Sequence, residues 1–545
     1  RSRLTDATMA KARKGSDAPA VVNCSASDLL TSAAHEMARL IVLSCLAVAG
    51  WLALWPPAVL LTHSQAFTDA YLGSIGLPLD PLGVASGDTR RPAALALAAV
   101  FVWLAVVYVA SLAVLRPSRW AVPFVIGSSA VYQVVLVGMP GVLSQDVFGY
   151  MAYGRLAAVY GLNPYVWPPS AIDKDPVVSW VAEVWRTYAC PYGPLWLDVQ
   201  TGLASVLGSF APVQQAVAYR VVASVLLLAC LALLWDVMAH MRRLDRQERL
   251  RALAALAWNP LVLLEVVGSA HNDALMAAFS LLALVPLTRR LPADHLTSGL
   301  CFTLGALVKY LSGLGLACVA LAAAARARSW RARVGCLTLV VLASAALTGA
   351  VAAPWLEIPD SLEPLVSETA SVGYVNALPD RLALALADAV IAPAGVQAFQ
   401  AREVARTVER PLALSMFVLL LAWEARRLWS EPTPEQIVRA TARSSLVYVL
   451  VVSTSVQTWY FVLPLVLTLV LGLGERVTRV VLGYALLGLP VLYLAYYLRE
   501  QTPEALYVLY ALVPLLGGLS VQHHEPTSGH AGVQGAARLV DPIEL

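Results

Sequence analysis

Tyr192-Gly193-Pro194-Leu195-Trp196-Leu197-Asp198-Val199-Gln200-Thr201-Gly202-Leu203-Ala204-Ser205-Val206-Leu207-Gly208-Ser209-Phe210 is the stretch on which the reading of this chain turns. Counted as a membrane crossing, Leu195–Phe210 scatters the chain's arginine clusters over both sides of a bilayer. Counted as a helix along one surface, it gathers all of them on one side. Asp198 and Gln200 interrupt its apolar residues, and the apolar pieces left are short, which suits an interfacial or re-entrant helix.

The rest of the chain fits that choice. Its 545 residues are 59% hydrophobic and only 13% charged, with a mean hydropathy of +0.68. A soluble domain carries about 25% charged residues, so the fold class expected is an all-α polytopic membrane protein. The net charge of +3 is too small to argue for nucleic acid. Five of the seven cysteines (Cys45, Cys230, Cys301, Cys318, Cys336) fall in apolar runs and read as small core residues, and Cys190 has no evident partner. No disulfide or zinc spacing is visible. Residues 1–38 form a polar, basic tail (Arg1, Arg3, Lys11, Arg13, Lys14). The first apolar run begins near Met37 and is long enough to span, so a cleaved signal peptide is not expected.

A spanning helix needs roughly 20 apolar residues. Runs near that length occur at about 38–62, 93–115, 121–139, 215–240, 253–270, 273–288, 334–353, 411–428, 480–497 and 505–521. Two tighter pairs, 295–311 with 312–325 and 442–457 with 460–474, read as spans joined by very short turns. Basic clusters lie at Arg116/Arg119, Arg242–Arg251, Arg289/Arg290, Arg326–Arg333, Arg426/Arg427 and Arg476/Arg479. Positive residues favour the cytoplasmic side. The solution is a bundle of about 14 transmembrane helices spanning 39–521, with both termini cytoplasmic in the plasma (inner) membrane. Two long segments, 140–214 and 354–410, then face outward, the first carrying interfacial helices. There is no internal repeat and no separate soluble domain. The tail 522–545, with His523, His524 and His530, reads as disordered by composition, and a metal site there is the weaker alternative.

Several unusual residues converge on the outer face in this topology. Asp146 opens the first outer segment, flanked by Phe148, Tyr150, Tyr153, Tyr160, Tyr165 and Trp167. Rings of this kind settle at headgroup interfaces, and an acid at the water boundary of an apolar chain is costly to bury and easy to use. His271-Asn272-Asp273 sits at an outer turn after the span containing Asn259-Pro260, Lys309-Tyr310 ends another span, and Gln457-Thr458-Trp459-Tyr460 forms a further outer turn. Each has an ordinary alternative. Asp146 and Asp273 could cap helices, Lys309 could snorkel to the surface, and Trp459 and Tyr460 could be interface anchors. Their agreement carries more weight, because the orientation came from arginines on the other side.

Transfer of a sugar from a lipid phosphate carrier needs such a set. The acceptor hydroxyl must lose a proton to a carboxylate base, and the departing phosphate wants Lys, Arg or His beside it. The sugar wants polar side chains and aromatic faces, for which Tyr150, Tyr153, Tyr192, Trp459 and Tyr460 are groove-lining candidates. The outer acids Asp146, Glu183 and Asp273 could gather a divalent cation, though no motif demands one.

Asp146-Val147-Phe148-Gly149-Tyr150 with Gly154-Arg155, then Gly161-Leu162-Asn163-Pro164-Tyr165, resembles the first outer loop of integral-membrane glycosyltransferases of the GT-C type. Tyr192-Gly193-Pro194-Leu195, Asn259-Pro260 and His271-Asn272-Asp273-Ala274-Leu275-Met276 extend the resemblance across about 120–460. It is strongest to the actinobacterial polyprenyl-phosphomannose-dependent α-1,6-mannosyltransferases. Gln145 and Gly149 stand where relatives often carry Arg and Ser. The resemblance implies inverting transfer of a single sugar, mannose, from a polyprenyl-phosphate donor to a lipid or glycan acceptor on the outer membrane face. Asp146 would be the base. Lys309 would hold the donor phosphate, with His271, Asn272, Asp273, Arg155 and Tyr310 completing the donor set. The competing classes are a lipid-linked glycan flippase, which should show repeats and polar residues at the membrane midplane, and a polysaccharide polymerase or ligase.

Overall fold

The computed structural model describes residues 26–77, 89–357, 379, 383, 387, 390, 395, 397–453, 455–498 and 504–519. Helix α1 (Ala26–Ala53) is followed by α2 (Trp55–Leu60), α3 (Gln65–Ser74), α4 (Arg90–Val114) and α5 (Ala121–Val137). Next come α6 (Asp146–Ala158), α7 (Pro194–Leu207), α8 (Pro212–Met241), α9 (Arg246–Ala257) and the single turn α10 (Pro260–Val262), which runs into a π-helical turn, Leu263–Gly268. The chain continues through α11 (Asp273–Arg289), α12 (Asp294–Ala306), α13 (Gly313–Arg326) and α14 (Trp330–Ala352). The last helices are α15 (Ala398–Ser430), α16 (Pro434–Val447), α17 (Val462–Leu469), α18 (Arg476–Leu498) and α19 (Glu504–Leu519).

Among the described residues no β-strand occurs, and six helical stretches are long and apolar enough to cross a membrane. They are Ala34–Leu60, Arg90–Val114, Pro212–Met241, Arg246–Gly268, Trp330–Trp355 and Arg476–Leu498. Shorter apolar helices occur at Ala121–Val137, Tyr310–Arg326 and Thr458–Leu469. The chain is an all-α membrane protein. Two boundaries differ from the sequence expectation. Helix α1 begins at Ala26, inside the tail assigned to 1–38, and α15 begins at Ala398, inside the loop assigned to 354–410. Hydropathy locates the greasy part of a helix, while polar helix formers such as Gln400, Glu403 and Arg410 carry the same helix beyond it. The rest of both assigned segments, and the tail 522–545, lie largely or wholly outside the described residues.

Helix starts are written locally in the sequence. Pro occupies the first turn of α7, α8, α10 and α16, where its missing N–H costs nothing. Asp245 accepts from the Glu248 amide at 2.7 Å while the Glu248 side chain reaches back to the Asp245 amide, a reciprocal cap for α9. Asn259 accepts from the amides of Leu261 and Val262 at 3.0 and 3.2 Å.

The stretch Arg246–Gly268 is the axis of the molecule, with 94% of its most apolar window buried, against 11% for Trp330–Trp355. Lipid tails are as apolar as leucine, so helices in a bilayer associate through close packing of small residues. Ala252, Ala254, Ala255 and Ala257 are fully buried on the axis, which packs against α5, α8, α4 and α17.

The two ends of the bundle differ chemically. At one end the basic clusters meet one another's elements. Arg246 donates to the Ser118 carbonyl at 3.2 Å, Arg289 pairs with Asp236 at 2.5 Å, Arg439 and Arg243 share Glu475, and Arg326 lies 4.0 Å from Asp294. At the other end lie the starts of α6, α7, α11, α13 and α17, with the turns that precede them.

Candidate active site

The helix α6 starts at Asp146, and the loop before it is fixed from inside. Arg220 of α8, nearly fully buried, donates to the carbonyls of Val137, Met139 and Gly141 at 3.3, 2.5 and 3.2 Å. It thereby satisfies carbonyls that the end of α5 leaves unpaired. Asp146 is not a capping residue. Gln145 holds the cap position, and the recorded partners of the Asp146 carboxylate come from other elements. The Tyr192 phenol donates to Oδ2 at 3.3 Å, and the Nδ1 of His271 stands 3.5 Å from the same oxygen. The carboxylate side chain keeps 21% of its exposure.

Tyr192 is delivered by the segment that leads into α7. The amides of Gly193 and Leu195 donate to the carbonyls of Val308 and Leu307 at 3.3 and 3.0 Å. A Cβ on Gly193 would overlap the Leu307 carbonyl, so only glycine permits this backbone approach. The docking places Tyr192 and Asp146 beside the turn that carries Lys309. Helices α6 and α7, of 13 and 14 residues, are each about 20 Å long. That is shorter than the ~30 Å hydrocarbon core. They pack closely at Gly154, where a Cβ would overlap the Gln200 carbonyl.

His271 follows the π-helical turn. Ala270 adopts φ 56, a left-handed conformation that costs a non-glycine residue about 1–2 kcal/mol. The kink turns the chain so that the His271 amide bonds the Glu265 carbonyl at 3.1 Å. The imidazole is 1% exposed and stacks on Trp459, with centroids 3.9 Å apart and planes at 21°. Its Nε2 lies 3.4 Å from Glu265 Oε2. Both imidazole–carboxylate separations are ion-pair distances, longer than a made hydrogen bond.

Asp273 and Lys309 form the other half. The Lys309 ammonium donates to Asp273 Oδ2 at 2.8 Å and lies 5.0 Å above the Tyr460 ring. Its side chain is 21% exposed while Asp273 is buried. The turn that holds Lys309 is pulled against α11 by Ser312, whose hydroxyl meets that of Ser280 at 2.9 Å. Neither snorkelling nor pure capping describes these groups. Asn272 holds the cap position of α11 without a side-chain cap bond, and both its amide atoms are buried with no partner. Tyr150 stands between the halves, its ring T-shaped against Tyr192 and Trp196 at 4.9 and 5.2 Å. Burial first, then the charges of Asp146 and Asp273, hold its phenol well above the ordinary tyrosine range.

Asp146, Tyr150, Tyr192, His271, Asn272, Asp273, Lys309, Trp459 and Tyr460 thus form one connected set. Two expected members, Arg155 and Tyr310, do not join it, while Tyr153 reaches it through its ring, T-shaped against Tyr192 with centroids 6.4 Å apart. Arg155 pairs with buried Asp175 through Nε and Nη2 at 2.8 and 2.6 Å, and Tyr160 donates to the same oxygen at 3.0 Å. Nine residues along α6 from Asp146, it is about 14 Å further down the axis and braces the loop after α6. The Tyr153 hydroxyl points at that loop too, donating to the Tyr188 carbonyl at 3.1 Å. Tyr310 is 56% exposed and stands by Tyr165, whose phenol is pushed up by burial first and then by Cys190, Tyr310 and Asp198. Glu183 does not gather with Asp146 and Asp273, and among the described residues no group of three or more His, Cys, Asp or Glu is arranged to hold a metal.

Glu265 is the member the sequence reading missed. It is fully buried, and its Oε1 accepts from the Thr458 hydroxyl and from the Tyr493 phenol at 3.0 Å. An acid inside an apolar span is a functional candidate by default, so Leu264-Glu265-Val266 carried the signal.

Residues 58–325 match the profile of the α-(1→6)-mannopyranosyltransferase N-terminal domain, and residues 200–454 match that of glycosyltransferase family 87. Over these stretches the chain is similar to α-(1→6)-mannopyranosyltransferases and to glycosyltransferase family 87. It is 32% identical over 152 residues to a probable α-(1→6)-mannopyranosyltransferase of Mycolicibacterium smegmatis, covering 28% of this chain and 26% of that one. An α-(1→6)-mannopyranosyltransferase of Mycobacterium tuberculosis is 32% identical over 144 residues, 26% of this chain and 23% of its own length. α-(1→6)-Mannopyranosyltransferase B of Corynebacterium glutamicum is 27% identical over 222 residues, 38% of this chain and 36% of its own. The matched stretches therefore span well under half the length of these mannosyltransferases. The first profile covers Asp146, Glu265, His271, Asp273 and Lys309, and the second reaches as far as residue 454, just short of Thr458 and Trp459.

Proposed function

We propose that this protein is a membrane mannosyltransferase that moves one mannose from a polyprenyl-phosphate donor to a hydroxyl of a lipid- or glycan-linked acceptor. The observation that carries the reading is the meeting of a part-exposed carboxylate, Asp146, with His271 and a part-exposed ammonium, Lys309, at the end of the bundle opposite the arginines. In this reading the arginine end is cytoplasmic, with both termini there and the site on the extracytoplasmic face. The chain crosses about 14 times, and α6 and α7 lie along the outer interface.

The reaction is a single displacement. Asp146 accepts the proton of the acceptor hydroxyl as its oxygen attacks the anomeric carbon. The bond from that carbon to the phosphate oxygen breaks, with inversion, and polyprenyl phosphate leaves carrying one more negative charge. Lys309 stabilises that charge. Asp273 holds the ammonium in place until the phosphate arrives, and the Tyr460 face limits where it can swing. The unpartnered amide of Asn272 and the Tyr150 phenol are polar groups available to sugar hydroxyls.

The test is reconstitution in liposomes with a short-chain polyprenyl-phosphomannose and an α-mannoside acceptor. Addition of a single mannose, with one polyprenyl phosphate released per bond formed, is expected. Transfer of a preassembled glycan block, or movement of the donor across the bilayer without product, would contradict the reading.

A further inference from the structure

Glu265 lies outside the elements that meet bulk water, and nothing in the proposed displacement yet uses it. It sits in the π-helical turn Leu263–Gly268, a distortion that recurs at functional sites. One carboxylate oxygen accepts from Thr458 and Tyr493, while the other makes no hydrogen bond and lies 3.4 Å from His271 Nε2. A buried carboxylate left with a free oxygen is costly unless a donor serves it. The imidazole brings a mobile proton within that reach.

Two contacts hold the His271 ring in place. Trp459 covers one face, and the backbone is clamped by the bond from the His271 amide to the Glu265 carbonyl. Its two nitrogens therefore each meet one carboxylate, Glu265 on the inner side and Asp146 on the outer. Which nitrogen of a histidine carries a proton is set by the partner of the other. The Tyr192 phenol and His271 Nδ1 both meet Oδ2 of Asp146.

We infer that Glu265 is a positioning residue for the transfer: through His271 it fixes the orientation of the Asp146 carboxylate. The inference rests on the reading of Asp146 as the base. It assigns Thr458 and Tyr493 a part as well, since they hold Glu265.

The experiment compares Glu265→Gln, His271→Gln and the double variant in the reconstituted assay, with Tyr493→Phe as a milder lesion should Glu265→Gln fail to fold. Glu265→Gln is expected to lower kcat by at least about tenfold, with the ~10⁴-fold loss of a histidine deprived of its orienting carboxylate as the upper bound, and the donor KM moving less than about twofold. The double variant should be no slower than His271→Gln alone, because a residue acting through His271 has nothing further to lose. Tyr493→Phe should lower kcat in the same sense with KM unchanged. In parallel, 15N spectra of histidine-labelled protein, assigned with His271→Gln, should show the His271 imidazole resonances displaced by Glu265→Gln and by Asp146→Asn. Lesions that multiply, or an imidazole signal unmoved by Glu265→Gln, would overturn the inference. Absence of any transfer by the unmodified protein would instead overturn the functional reading, and the spectra would still decide whether Glu265 and Asp146 are coupled through the ring.

Discussion

At the scale of single residues, two basic side chains of the first and third site segments separate by what they touch. Lys309 is part-exposed beside Asp273, which under the proposed function a donor phosphate replaces, whereas Arg155 is committed to the buried Asp175. Lys309→Ala should raise the donor KM by about 10- to 100-fold, the loss of a charge-assisted contact worth ~1.5–3 kcal/mol. Arg155→Ala should leave the donor KM unchanged but destabilise the protein by about 3–5 kcal/mol, because Asp175 stays buried without its partner. Thermal unfolding in detergent alongside donor titrations separates the two, and a donor effect for Arg155→Ala would return it to the site. Asp146 and His271-Asn272-Asp273 were legible because charges in a greasy chain are too costly to keep without use. The partner of Arg155 was not, since Asp175 lies in a polar loop with no periodicity to place it. Glu265 was legible by the same rule as Asp146 but stands inside a span, where hydropathy averaging hides one acid within the apolar run Leu261–Val267.

At the scale of elements, the short α12–α13 turn could be read from Lys309-Tyr310 interrupting an apolar run, and helix α7 from Gly193-Pro194. What could not be read is that these two segments join. The amides of Gly193 and Leu195 pair with Leu307 and Val308 across more than a hundred residues, and such pairing leaves no local pattern apart from the glycine it requires. Gly193→Ala should therefore cost transfer activity out of proportion to its size, because the new Cβ meets backbone rather than a yielding side chain. Measured at equal folded fraction, its kcat should fall at least about tenfold, consistent with displacement of about 1 Å at the reacting groups. Activity equal to the unmodified protein would mean that this segment does not position Tyr192 and Asp146.

At the scale of the whole molecule, the arginine rule divides the sequence into two faces, and the bundle has two chemically distinct ends. The π-helical turn and the left-handed Ala270 were invisible to hydropathy, which sees one apolar run through 253–270. The sidedness itself is open to direct test. A cysteine at exposed Val184 should react with a membrane-impermeant thiol reagent in intact cells, and one at Arg246 should react only after the membrane is opened. The reverse pattern would invert the orientation and remove an extracytoplasmic site. The account as a whole stands on Asp146 as the base, and the measurement that bears on it most directly is single-turnover transfer by Asp146→Asn at saturating donor. A drop of about 10²–10⁴-fold in the transfer rate is predicted, with donor binding and thermal stability retained. Transfer within a few-fold of the unmodified protein would contradict it.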